Sequence, residues 1–297
     1  MRRLWTSGVM AVVGLAALGT YSPAQVVADR KIAVRISPLP ERVAMAETIV
    51  TGKVTAIEDK KVEARQFPGA KDKVEFTIAV VKIEDALLNA KGITHVKIGF
   101  VEPQAAPGGG PGIRPGRFPQ VNLNKDQEGC FLLRPHFEES FLTLPGYDYV
   151  LTKKDNPNYE KEMETIKRCA KLLADTDAGL KAKSADDRFQ TAGMLLIRYR
   201  TPQGANPKEE KVDAKESKLI LQGLADGDWS KGFSATELTP MMVFGRLALT
   251  DKDGWKPGPF QNYEKEFPEA AKKWLKDNTD GYVIKRFAEE TKKEKKE

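Results

Sequence analysis

Residues 49–57 read Ile49-Val50-Thr51-Gly52-Lys53-Val54-Thr55-Ala56-Ile57, and their alternation decides the fold. Ile49, Thr51, Lys53, Thr55 and Ile57 face one way, and Val50, Gly52, Val54 and Ala56 face the other. A period of two marks a strand, and the β-branched Ile, Val and Thr suit a pleated surface. Gly52 in mid-strand predicts a bulge or a sharp coil, as small closed sheets need. Downstream, residues 74–83 alternate likewise, with Val74, Phe76, Ile78 and Val80 on one face. A short helix is expected over 84–90 and a third strand over 95–101. A fourth, over 130–133, sets Cys130 and Leu132 on one face and Phe131 and Leu133 on the other. Strands over 141–144 and 147–152 complete the section. Upstream, 32–36 is a short extended run and 38–47 forms one or two helical turns.

The pattern changes at Asp155-Asn156-Pro157-Asn158, where Asn-Pro marks a turn. Residues 159–174 place Met163, Ile166, Ala170 and Leu173 on one helical stripe, with Cys169 beside them. Ser184 precedes Asp186 and Asp187 as a helix cap with acids in the first turn, leading into a helix over 188–199. Further helices are expected over 215–224, 240–249, 268–276 and 282–293, with Pro240 at a favoured first-turn position. Residues 203–211 read as a polar loop. The fold class is therefore α+β: an OB-like antiparallel β-barrel domain over 40–152, an α-helical domain over 158–291 and a charged tail over 292–297.

Residues 1–28 read as a signal peptide. Arg2 and Arg3 supply a positive start, and 9–19 is an uncharged, apolar run. Ser22-Pro23-Ala24 and Val26-Val27-Ala28 both fit a signal-peptidase site, so cleavage after Ala24 or Ala28 is expected. The apolar run falls short of the ~20 residues that span a bilayer. No second stretch approaches that length and no cysteine lies near the cleavage region, so no membrane anchor is expected after processing. The address is periplasmic or extracellular.

The formal charge is +6; with Arg2 and Arg3 removed, 46 basic residues remain against 42 acidic, a net +4. That excess is diffuse, whereas a nucleic-acid binder carries a clustered basic face with interleaved aromatics. A nucleic-acid partner is therefore not expected.

The run Ala46-Glu47-Thr48-Ile49-Val50-Thr51-Gly52-Lys53-Val54 resembles the opening strand of the tissue-inhibitor-of-metalloproteinase (netrin-like) OB domains. Gly129-Cys130-Phe131-Leu132-Leu133 is similar to the strand after the mid-domain loop in bacterial domains of that kind. The whole chain is also similar to uncharacterised exported bacterial proteins that join such a domain to a helical tail. The resemblance covers about residues 40–152 and implies a fold. It does not carry the inhibitor activity, because those inhibitors chelate zinc through a mature N-terminal Cys. Here the new terminus would be Gln25 or Asp29. Fold likeness alone leaves the partner open.

Reactive chemistry is sparse. The chain has two cysteines, Cys130 and Cys169, and export makes a disulfide between them possible, with two buried thiols as the other reading. Neither pairs with a base in the sequence, which argues against a nucleophilic role. Of the two histidines, His95 reads as a surface residue, and His136 with Glu138 makes a two-ligand fragment that reads as a solvated rim. A zinc site needs three or four ligands. Asp226, Asp228, Ser230 and Glu237 fall at positions 1, 3, 5 and 12 of a calcium-loop pattern, but Lys231 stands where Gly is required. A plain turn is the better reading, and Asp251-Lys252-Asp253-Gly254 is another. The Gly-rich stretch 108–116 lacks the Gly-Lys-Ser/Thr ending of a phosphate loop. Trp229, Trp255 and Trp274 read as core anchors of the helical part.

These observations predict no catalytic residues, no cofactor and no metal. They point to an exported, non-catalytic binding or structural module acting by protein–protein interaction with an envelope partner, with 103–127 and the adjoining barrel rim as contact surface. The alternative is a secreted hydrolase whose carboxylates line a cleft between barrel and helices.

Overall fold

The computed structural model describes residues 37–102, 121–145, 150–154, 156–202 and 207–288. The expected signal peptide, the extended run at 32–36, the Gly-rich stretch at 108–116 and the charged tail lie outside those residues. So does most of the anticipated 103–127 contact surface. The architecture is mixed α+β. Among the described residues there are seven α-helices, a six-stranded sheet and a separate two-stranded one.

The chain enters through α1 (Leu39–Met45) and turns into β1 (Thr48–Ile57). β2 (Val62–Arg65), β3 (Lys73–Leu88), β4 (His95–Phe100), β5 (Glu128–Pro135) and the short β6 (Leu142–Thr143) follow. β1 runs antiparallel to both β3 and β5, β3 to β4, and β5 to β6, while β4 and β6 are parallel. The pairings thus pass from β1 through β5, β6, β4 and β3 and return to β1, with β2 at an outer edge of β3.

Gly52 sits where the predicted irregularity falls. The β1–β3 register shifts between Thr51 and Gly52, and a Cβ on Gly52 would lie 2.2 Å from the Lys82 carbonyl oxygen. No side chain fits there, so the strand crosses its neighbour more closely than any other residue allows.

The alternation sorts residues onto two faces. Val50, Val54, Ala79, Val81, Phe131 and Leu133 form the sheet's own interior. Ile49, Leu88, Cys130 and Leu132 point the other way, into a larger apolar cluster with the helices. That cluster crosses the 152–158 junction continuously, taking Met163, Ile166, Leu195 and Ile220 from beyond it. The described residues all belong to one compact unit, Arg35–Glu297.

The helical part comprises α2 (Tyr159–Ala174), α3 (Thr176–Leu180), α4 (Ala185–Arg200), α5 (Ala214–Ala225), α6 (Pro240–Arg246) and α7 (Tyr263–Asn278). Ser184 caps α4 by accepting from the Asp187 N–H at 3.2 Å, as its sequence context predicts. Asp213 caps α5 in the same manner, accepting from the N–H groups of Lys215 and Glu216.

Four expectations are corrected. Residues 84–88 continue β3 and do not coil: Asp85, Ala86 and Leu88 pair with Thr51, Val50 and Ile49. Pairing with β1 overrides the helix-favouring composition, and it carries Leu88 into the shared core at 4% exposure. The expected polar loop at 203–211 contains β7 (Glu209–Lys211), which pairs with β8 (Lys285–Phe287). β8 in turn replaces the start of the helix expected over 282–293. Helix α6 also stops early: Ala248 takes a left-handed backbone with φ 52° and ends it.

Candidate functional site

The described surface contains a groove of about 300 Å³ beside α1 and α6. Ser37 and Glu41 line one wall, Met242, Val243 and Arg246 the other. Ile197 of α4 and Leu238 form apolar lining, and Phe233 stands at its side. Glu41 and Arg246 are 205 residues apart in sequence, yet their side chains meet at 2.6 Å and join the walls. Gly193 on α4 lets Leu238 pack closely; a Cβ there would sit 2.6 Å from Leu238 Cδ2.

An aromatic series leads from the core to this groove. Phe244 touches Trp229, Trp255, Phe267 and Trp274, with ring centroids 4.9–6.0 Å away. Phe267 stacks on Tyr263 at 4.9 Å, and Tyr263 stacks on Phe233 at 6.2 Å. Exposure rises along the way: Phe244 is 3% exposed, Tyr263 44% and Phe233 62%. An open Phe stacked on an open Tyr at the side of a concave site has the composition of a binding hot spot. Trp229 and Trp274 are buried, and Trp274 Nε1 donates to the Asp253 carbonyl at 2.9 Å, in keeping with core anchors.

Behind Leu238, Thr239 Oγ1 is buried without a hydrogen-bond partner among the described residues, as is Trp229 Nε1. Each orphan polar atom costs about 1–3 kcal/mol.

The other residues singled out by sequence lie elsewhere. Cys130 and Cys169 are both buried and are not joined by a disulfide. The charges of Arg168, Asp186 and Asp187 act on Cys169, whereas Cys130 acts on Tyr159 at the start of α2. Ten residues of helix separate Tyr159 from Cys169, a rise of about 15 Å. Burial pushes the Cys169 thiol up to about 12, which keeps it protonated and unreactive.

His136 is not a solvated rim residue: it is 2% exposed and sits among the rings of Phe76, Phe137 and Phe141. Phe137 and Phe141 stand close by in sequence, but Glu138, Glu139 and Ser140 between them give the stretch no apolar period that would predict that burial. His95 is exposed, beside Thr94.

In the calcium-like segment each acid has its own protein partner. Asp226 accepts from Arg188 at 2.6 Å, Asp228 from the Ser230 hydroxyl at 2.6 Å, and Glu237 from Lys231 at 2.7 Å. The Lys231 ammonium thus occupies the place of positive charge. Asp251–Asp253 is a turn of 3₁₀ helix closed by Gly254 at φ 75°. Among the described residues no group of three His, Cys, Asp or Glu side chains gathers as a metal centre would.

Among the described residues the carboxylates with shifted pKa values move downward. Glu138 is lowered by Arg65, Glu102 by Thr77 and Lys61, Asp228 by Ser230, and Asp253 by Thr250. A carboxyl serving as general acid near neutrality needs the opposite shift.

No family model and no curated protein sequence matches this chain.

Proposed function

We propose that the chain is an exported, non-catalytic binding module that acts by protein–protein contact in the periplasm or cell envelope, and that its sheet portion is an OB-type barrel. The barrel reading draws on the cycle of pairings that leaves β1 through β5 and returns through β3, and on the coil at Gly52. The export reading draws on the leader and its two cleavage motifs.

The observation that carries the binding function is Phe233, 62% exposed, stacked on Tyr263 beside the groove. Contiguous exposed apolar surface marks interaction sites, and Phe233 and Tyr263 form such a stacked, exposed pair. The occupant we assign is an extended segment of a protein partner. One of its apolar side chains would seat between Phe233 and Leu238, with polar backbone groups near Ser37 and the Glu41–Arg246 pair. The hydrolase alternative gains nothing from the carboxylates, whose shifts run downward, nor from the junction of sheet and helices, which is filled by apolar side chains.

A photo-crosslinking amino acid placed at 233 in the native host tests this reading. A discrete adduct is expected from position 233 and none from position 93, where Ile93 is also exposed but stands away from the groove. Equal labelling from both positions would overturn it. N-terminal sequencing of the processed chain is expected to begin at Gln25 or Asp29; an intact Met1 would remove the export reading.

A further inference from the structure

Both ring nitrogens of His136 are used. Nε2 lies 2.9 Å from the Arg65 carbonyl oxygen, so it carries the hydrogen and donates. Nδ1 accepts from the backbone N–H of Glu138 at 3.2 Å and of Glu139 at 3.1 Å. These bonds define one neutral tautomer. Arg65 ends β2, which lies at the edge of the six-stranded sheet. Its own N–H faces the Glu138 carboxylate at 3.4 Å, and its guanidinium binds the same carboxylate through Nε at 2.7 Å. The backbone of Arg65 on the open side of β2 is therefore met by side chains of residues 136–139, where a further strand would otherwise pair.

We propose that His136 is an acid-operated latch: neutral, it pins residues 136–141 over the edge of β2; charged, it releases that segment and uncovers the edge. The imidazolium carries hydrogen on both nitrogens and accepts nothing. Two backbone N–H groups would then point at a third donor in a buried place, which native structures avoid. Phe76 of β3 and Phe141 present aromatic surfaces to the ring. Among the described residues the charged neighbours of the site are Arg65 on β2, whose register partner on β3 is Lys73, and Glu138 and Glu139 on the segment itself. Among the described residues the Glu138 carboxylate is one group that would favour a charged ring, and Arg65 already holds it. The latch does not depend on the groove or its partner.

The chain has only two histidines, so long-range ¹H–¹⁵N spectra of the full chain resolve both rings. At neutral pH His136 is expected as the Nε2–H tautomer. On acidification it is expected to become charged. At the same midpoint the amides of Arg65, Glu138 and Glu139 should lose about tenfold or more of their exchange protection, while those of β1 and β5 keep theirs. His136→Phe keeps the aromatic packing without an acceptor. It should leave Glu138 and Glu139 unprotected at neutral pH and abolish the acid step. A ring that charges while the three amides stay protected would overturn the proposal. So would a ring that stays neutral until the whole chain unfolds. Should the Phe variant not fold, the wild-type titration decides by itself.

Discussion

Arg198 on α4 donates from Nη2 to the carbonyl of Ala46, 152 residues earlier in the chain, at 2.8 Å. Its Nε takes the carbonyl of Ala44 at the same distance. Those carbonyls belong to the end of α1 and the approach to β1, so one guanidinium fork fastens a helix of the second half to the entry of the sheet. Hydrogen bonds from a charged donor contribute about 1.5–3 kcal/mol each. Arg198→Ala is expected to destabilise the chain by about 2–4 kcal/mol, and Arg198→Lys by less, because an ammonium lacks the planar fork. Urea titration followed by circular dichroism measures both; an Ala variant within about 0.5 kcal/mol of wild type would contradict the role.

Alkaline pH should weaken the fold early. The Cys169 thiol is pushed up to about 12 by burial, and the half-buried Tyr282 hydroxyl also to about 12. In the unfolded chain they ionise near ~8.5 and ~10. The stabilisation these neutral groups lend is complete below the unfolded values and is lost as pH rises toward the folded ones. Between about pH 9 and 12 the thiol alone should remove about 1.4 kcal/mol of stability per pH unit. A flat stability profile over that window would refute the assignment. Titration of the denatured, unreduced protein should count two thiols; a count of zero would demonstrate a disulfide.

Thr239 offers a test of the orphan hydroxyl. It makes no side-chain cap on α6 and is fully buried. Thr239→Val retains the shape and removes the unsatisfied oxygen, so it should be neutral or stabilising by about 1 kcal/mol. Thermal denaturation reads this directly, and a loss above about 1 kcal/mol would show that the oxygen has a partner after all.

Ala248 is exposed and left-handed at φ 52°. That conformation costs an L-residue about 1–2 kcal/mol, which exceeds the extra entropy a glycine loses on folding. Ala248→Gly should raise stability by up to about 1 kcal/mol without altering the groove. A drop in melting temperature would sink this reading.

Much of the architecture was written locally. Alternation placed β1 and the inner and outer faces of β5, and it set Cys130 apart from Phe131 correctly. Caps such as Ser184 placed α4, because a cap is an interaction between close neighbours. What escaped was set by distant partners. Residues 84–88 favour a helix until β1 is available to pair with them. Glu209–Lys211 and Lys285–Phe287 have no hydrophobic period at all; their pairing rests on ion pairs such as Arg286–Glu210. The groove was invisible for the same reason. Glu41, Phe233 and Arg246 come from three separate segments, and Phe233 reads as a single apolar residue in a polar turn. The burial of His136 depends on Phe76, which lies 60 residues away in the chain.

Trp229, Trp255 and Trp274 all pack around Phe244, and the only other tryptophan in the sequence is Trp5. With Trp5→Phe in place, intrinsic fluorescence watches the single locale of those three rings and is blind to the strands. Far-ultraviolet ellipticity watches the backbone everywhere. Melting curves from the two signals would superimpose if the continuous apolar cluster makes sheet and helices yield together, and would part if the strands can outlast the tryptophans.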